Sequence, residues 1–173
     1  MLQHLFNYEN ISLSYKVKRI CNNDIDRVLT LMNTNPIYFR YCPPFPSKDT
    51  IKEDMKALPP HKTIEDKYYL GLYEENSLVC IIDLILDYPK TNIAFIGFFM
   101  IDKKYQGKHI GTNIINELII CLRSANYNEI RLGYVEGNNE AQSFWNAMGF
   151  YPTGVIAKEE KDNIIVMKKE INK

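Results

Sequence analysis

The stretch that most constrains this chain runs from residue 93 to residue 125. Ile93 to Ile101 is an almost unbroken apolar run, the pattern of a central strand buried on both faces. It is about half the length a membrane span needs. The chain then passes through Asp102-Lys103-Lys104-Tyr105-Gln106-Gly107-Lys108-His109 into Gly111–Ala125. There Ile114, Ile115, Leu118, Ile119 and Leu122 recur on one helical face. A buried strand that opens directly into a long helix sets up a parallel crossover. It also leaves the first helical amides without internal partners, at the positive end of the helix dipole. Such a junction can cradle a pyrophosphate. It is not a P-loop, because no Gly-Lys-Ser/Thr follows at the required spacing, and it is not Gly-x-Gly-x-x-Gly. Taken alone it is equally a strand-to-helix turn with incidental glycines.

The rest of the chain organises around that junction. The spacing predicts a strand over Ser12–Ile20 and a helix after Asn22-Asn23-Asp24, carrying Ile25, Val28, Leu29 and Met32. Asn33-Thr34-Asn35-Pro36 stops that helix. Tyr38–Pro46, rich in aromatics and prolines, reads as irregular chain, too apolar for a solvated loop. Ser47 or Thr50 caps a second helix, with Thr50-Ile51-Lys52-Glu53 reading as a capping box. Strands follow at Lys67–Tyr73, Leu78–Tyr88 and Ile93–Asp102, then at Glu129–Glu136. A short helix over Asn138–Met148 ends at Gly149. Strands at Tyr151–Glu159 and Asn163–Ile171 close the chain. The expected order is β-α-α-β-β-β-α-β-α-β-β, a mixed α/β arrangement with one βαβ crossover. At 173 residues the whole chain, 1–173, is read as one domain.

Charge and cysteines exclude several classes. Twenty-one basic residues balance twenty-one acidic ones, so no concentrated basic face for nucleic acid is expected. Cys21, Cys42, Cys80 and Cys121 lie far apart with no Cys-x-x-Cys pair. They read as buried or half-buried thiols of a reducing compartment, not as a zinc site or disulfide framework. His4, His61 and His109 are scattered, and no metal cluster is apparent. Met1–Asn7 shows no basic-then-apolar leader. The expectation is a cytoplasmic protein with no metal, nucleic-acid partner or membrane partner.

A second stretch gives the junction its meaning: Val135-Glu136-Gly137-Asn138-Asn139-Glu140-Ala141-Gln142-Ser143-Phe144-Trp145-Asn146-Ala147-Met148-Gly149-Phe150. Together the two stretches resemble the GCN5-related N-acetyltransferase (GNAT) family. Gln106–Gly111, followed by Thr112, occupies that family's Gln/Arg-x-x-Gly-x-Gly/Ala loop. Asn138, Ala141, Phe144, Trp145, Gly149 and Phe150 fall in register on its second pattern. The resemblance implies a mixed, mostly antiparallel twisted sheet of about seven strands with helices on both faces. It implies an acetyl-CoA-dependent N-acetyltransferase acting on the primary amine of a small molecule or peptide, and a homodimer is common among relatives. Acetyl-CoA would lie in a V-shaped opening. The backbone of Met100 and Ile101 would meet the pantetheine arm. The amides of Gln106, Gly107, Lys108, Ile110, Gly111 and Thr112 would hold the pyrophosphate. Asn138 would bond the pantetheine, while Ala141, Phe144 and Trp145 would line the thioester end.

Two residues depart from the family pattern. His109 stands where the loop's first glycine is usual, and is either an added donor or an exposed side chain. Trp145 stands where many relatives carry the tyrosine that protonates the departing thiolate. An indole N–H donates a hydrogen bond but is far too weak an acid to give up its proton. Tyr134, Tyr151, water or the product ammonium are then the remaining proton sources. For the base, Glu136 sits at the strand mouth. Asp83 lies among Ile81, Ile82, Leu84 and Ile85, as an acceptor-side residue or a side chain on a wet face. Tyr38, Phe39, Arg40, Tyr41 and Phe45 lie where the resemblance puts acceptor-binding elements; a hydrophobic cap or dimer contact is the alternative. A non-catalytic acyl-CoA sensing module with the same fold, or a protein whose loop holds ATP or NAD, would use the same junction differently.

Overall fold

The computed structural model describes residues 6–172; Met1–Leu5, including His4 and most of the stretch read for a leader, and Lys173 lie outside them. Seven strands form one open sheet in the order β1-β2-β3-β4-β5-β7-β6. They are β1 (Lys16–Arg19), β2 (Lys67–Glu74), β3 (Ser77–Leu86), β4 (Ile93–Ile101), β5 (Glu129–Val135), β6 (Tyr151–Glu159) and β7 (Asp162–Glu170). Every neighbouring pair is antiparallel except β4 and β5. The helices are α1 (Ile25–Asn33), α2 (Pro36–Tyr41), α3 (Lys48–Asp54), α4 (Ile110–Ser124) and α5 (Asn139–Ala147).

Each face of the sheet carries its own core. One face buries Leu70, Leu72, Ile82, Leu84, Ala94 and Ile96 against α4 and α5. The predicted stripe of α4, Ile114, Ile115, Leu118, Ile119 and Leu122, is the buried one. The other face buries Tyr69, Tyr73, Ile81 and Met100 against Val28, Leu31 and Met32 of α1, Phe39 of α2 and Ile51 of α3. Alternation along each strand lets the same strands serve both cores.

The structure corrects the sequence reading locally. Ser12–Ile20 holds only a four-residue strand. Ser12 Oγ accepts from the amides of Ser14 and Tyr15 and donates to Glu117 Oε2 at 2.8 Å, which turns the chain before β1. Tyr38–Pro46 is not wholly irregular, because Pro36 at the first helical position starts α2. The cap of α3 is Ser47, with Thr50 completing the box, not Thr50 with Glu53. Cys21 is exposed, not half-buried, and donates to Asp24 Oδ2. Among the described residues no helix is long and apolar enough to cross a membrane, and no group of His, Cys, Asp or Glu is placed to hold a metal.

Candidate active site

Strand pairing makes the opening. β4 and β5 pair only from Ile93↔Glu129 to Ile96↔Leu132. Beyond that β4 runs on to Ile101 and β5 to Val135, so the two strands separate. On the other edge of β4, Asp83 faces Phe98 while Leu84 faces Ile96, which leaves Gly97 as the extra residue of a bulge. Beyond the bulge, Asp102 N–H donates to Val79 O. Alternation then turns the backbone of Met100 toward β3 and that of Phe99 and Ile101 toward the opening. Phe99, absent from the sequence expectation, thus offers its amide there in place of Met100.

The junction is braced from α1. Lys103–Tyr105 forms a 3-10 turn in which Asp102 accepts from Lys104 N–H. Gln106 N–H closes that turn on Lys103 O. Gln106 Nε2 donates to Asn35 Oδ1 at 2.7 Å and to Ile101 O at 2.9 Å. Thr34 Oγ1 accepts from Lys103 N–H, and Asn35 Nδ2 donates to Ile101 O. Gln106, read as a pyrophosphate donor, is therefore spent on holding the loop. The next backbone bond is Asn113 N–H to His109 O. Between them the amides of Gly107, Lys108, His109, Ile110, Gly111 and Thr112 make no hydrogen bond within the described residues, a row of free donors at a helix N-terminus. Lys103, Lys104 and Lys108 add positive charge along the same loop.

Gly107 has φ +72° with open space where a Cβ would stand. His109 takes φ +59° and ψ +13°, the left-handed region, as the N-cap of α4. Histidine tolerates that conformation better than a branched residue does. His109→Gly removes the side chain from that left-handed position and should leave stability within about 1 kcal/mol of wild type or slightly above it. His109→Val should cost about 1–3 kcal/mol of stability. Chemical denaturation of the two variants checks both outcomes.

The far wall is aromatic. Phe144 stacks on Phe99 with centroids 5.8 Å apart, and Gly111 lets the Phe144 ring and Ile101 approach. Trp145 is buried among Phe99, Phe144 and Phe150. Asn138 is buried, and its Oδ1 caps α5 by accepting from Ala141 N–H at 3.1 Å. Tyr134 is buried at the edge of the opening; desolvation, and then Glu136, raises its hydroxyl above the usual tyrosine value, so it keeps its proton at neutral pH. Tyr151 lies elsewhere, exposed on β6 and bonded to Glu170.

A cleft of about 870 Å³ joins these parts and crosses the sheet through the gap between β4 and β5. Its lining takes in Met100, Ile101, Gln106, Gly107, His109, Ile110, Gly111, Thr112, Tyr134, Asn138, Ala141, Phe144 and Trp145, but not Lys108 or Glu136. The Glu136 carboxylate is exposed and accepts from Asn163 Nδ2 at 2.8 Å. On the α2 side the lining has Tyr38 with Ile37 and Cys42, and Glu159 from β6. Phe39 is buried in the core, Arg40 and Phe45 are exposed, and Tyr41 is half-buried outside the lining. Thr34, Asn35, Cys42 and Glu159 were not singled out from the sequence. Their only signal was polarity next to a helix stop or a hairpin.

The sequence profile of the Acetyltransferase (GNAT) family matches residues 33–150. This chain belongs to the GNAT acetyltransferase family. A comparison with curated protein sequences gives no match. Among solved structures, an acetyltransferase from Thermus thermophilus superposes with a TM-score of 0.73 at 17% identity, covering 91% of this chain and 97% of that one. Spermidine N-acetyltransferase from Vibrio cholerae, solved with CoA and spermine, gives 0.68 at 17% identity over 92% and 96%. PaiA N-acetyltransferase from Thermoplasma acidophilum, solved with coenzyme A, gives 0.62 at 16% over 91% and 99%. At these identities the likeness is one of GNAT fold.

Proposed function

We propose that this GNAT protein, its 173 residues acting as one domain, is an acetyl-CoA-dependent N-acetyltransferase for the primary amine of a small molecule or peptide. The observation that carries the reading is the row of free amides from Gly107 to Thr112, opening into a cleft that crosses the sheet. Those amides and the loop lysines fit a pyrophosphate. The Phe99 backbone and the Ile101 N–H fit an extended pantetheine arm, the Ile101 carbonyl being taken by Gln106 and Asn35. Phe144, Trp145 and Ala141 exclude water from the thioester end. Acetyl-CoA supplies an activated acyl carbon. An amide N–H on the open edge of β4 polarises its carbonyl by hydrogen bonding to oxygen as charge develops there. Tyr134 is a protonated hydroxyl in the cleft lining and can hand a proton toward the leaving sulfur, a role the indole of Trp145 cannot fill. The acceptor enters from the α2 side, past Tyr38, Cys42 and Glu159.

Thermal melting with acetyl-CoA, CoA, ATP and NAD in separate samples tests the reading first. A ligand at ~100 times its dissociation constant adds about 2.7 kcal/mol, a rise of roughly 5–10 °C at this length. The expected result is a rise with acetyl-CoA and CoA alone, followed by thiol release with a primary amine. Binding without turnover of any amine would leave the sensing-module reading. A rise confined to ATP or NAD would remove both.

A further inference from the structure

An acceptor amine is mostly ammonium at neutral pH and must lose a proton before it can attack. We propose that Asp83, opened toward the cleft by the missing side chain of Gly97 and clamped by Lys67, receives that proton through a water in the cleft. The inference rests on the N-acetyltransferase reading above.

The geometry begins with the β4 bulge. Gly97 lines the cleft, and a Cβ built on it would stand 3.0 Å from Asp83 Oδ2. Asp83 therefore sits one layer behind the lining, with only hydrogen where any other residue would place carbon. Its two oxygens accept from Lys67 Nζ at 2.8 and 2.7 Å. The Lys67 side chain is 2% exposed and that of Asp83 14%.

The groups that face Asp83 are few. β2 contributes Lys67 and Tyr69, α3 contributes Asp54, and β4 contributes only Gly97 and Phe98. Tyr38 of α2 packs on Phe98 and feels the charge of Asp54. Lys67 bonds Asp83 and reaches Asp54 only through its charge, so the one ammonium near both carboxylates is committed to Asp83. Burial pushes the Asp83 carboxyl up, Lys67 pulls it back, and Asp54 pushes it up again. The result is a better proton acceptor than an exposed aspartate. A second observation points to water in the same cluster. The Tyr69 hydroxyl is buried and has no protein partner, and a buried hydroxyl of that kind ordinarily bonds an ordered water. Glu136, by contrast, lies outside the lining and is engaged by Asn163.

The proton balance closes within the site. The ammonium gives one proton by way of water to the Asp83 carboxylate. The free amine forms the N–C bond to the acetyl carbon, and the C–S bond breaks. The nitrogen's second proton goes to the departing thiolate by way of Tyr134 or water. Asp83 then releases its proton to solvent, so the sum is amide, thiol and one proton.

Asp83→Asn alone leaves the Lys67 ammonium buried without its partner, so two other variants carry the test. Lys67→Met/Asp83→Asn removes both charges together. Gly97→Ala keeps the pair and closes the gap beside it. The wild type is first assayed against polyamine, amino acid, aminoglycoside and peptide amines. With an amine it accepts, kcat/KM is measured from about pH 6 to pH 10, alongside acetyl-CoA Kd and melting temperature. The expected result for both variants is a loss of roughly 100-fold or more at neutral pH, with Kd changed less than about two-fold. The loss should narrow as pH approaches the amine's own pKa, where the free base needs no acceptor for its proton. A loss of equal size at every pH, or activity of the double variant within about three-fold of wild type, overturns the proposal and leaves the acetyltransferase reading standing. If the wild type itself releases thiol with no amine, the reading fails and takes the proposal with it.

Discussion

Lys67→Met alone should lower the stability of this protein by about 3–5 kcal/mol, a fall in melting temperature of roughly 6–20 °C at this chain length. The loss comes from what remains. Lys67 is the only cation bonded to Asp83 among the described residues. Without it a carboxylate mostly shielded from water keeps its charge with nothing opposite, and Asp54 stands near enough to raise the cost. The pH dependence has a definite sign. With Lys67 gone, desolvation and Asp54 hold the folded-state pKa of Asp83 above its unfolded value. The folded state then binds more protons, so stability falls as pH rises through the carboxylate range and levels off above the folded pKa. The penalty should therefore shrink in acid. Lys67→Met/Asp83→Asn removes both charges and should recover most of the loss. Urea denaturation of both variants at acidic and neutral pH separates the two terms.

Leu118→Ala should cost about 2–5 kcal/mol, a fall of roughly 4–20 °C. Leu118 is fully buried at the centre of the α4 stripe, where that helix seats on the sheet. Truncation leaves a cavity under the helix whose N-terminus carries the free amides. Under the proposed function, saturating acetyl-CoA should restore part of the melting temperature, because a ligand held by the folded state alone offsets the loss by mass action. Ile120 on the same helix is 60% exposed, and Ile120→Ala should change stability by less than about 0.5 kcal/mol. Calorimetry of the pair shows whether the cost follows burial or helix propensity.

The parts of the site that lay within one segment were legible. The amides from Gly107 to Thr112 follow from a strand, a glycine and a helix start in immediate succession. The Phe144-Trp145 pair and the buried face of α4 are likewise written at helical spacing, whereas the capping role of Asn138 came only from the structure. Aromatic content in Tyr38–Pro46 marked a segment near the cleft. It did not give the phase of α2, which turns Tyr38 into the cleft and Phe39 into the core. Gln106 shows the same limit. Its place in the loop was readable, but Asn35, 71 positions away, decides that it braces the loop.

The sequence by itself determined the type of most elements, the two-faced burial of β4 and the family, because hydrophobic period, caps and loop glycines are local properties of the chain. Only the tertiary structure decided where β4 and β5 part, which backbone groups face the gap, and that Gly97 stands beside Asp83 with Lys67 behind it. Those relations depend on register between strands distant in sequence. Register is settled by packing and hydrogen bonding across the whole sheet, and no single segment encodes it.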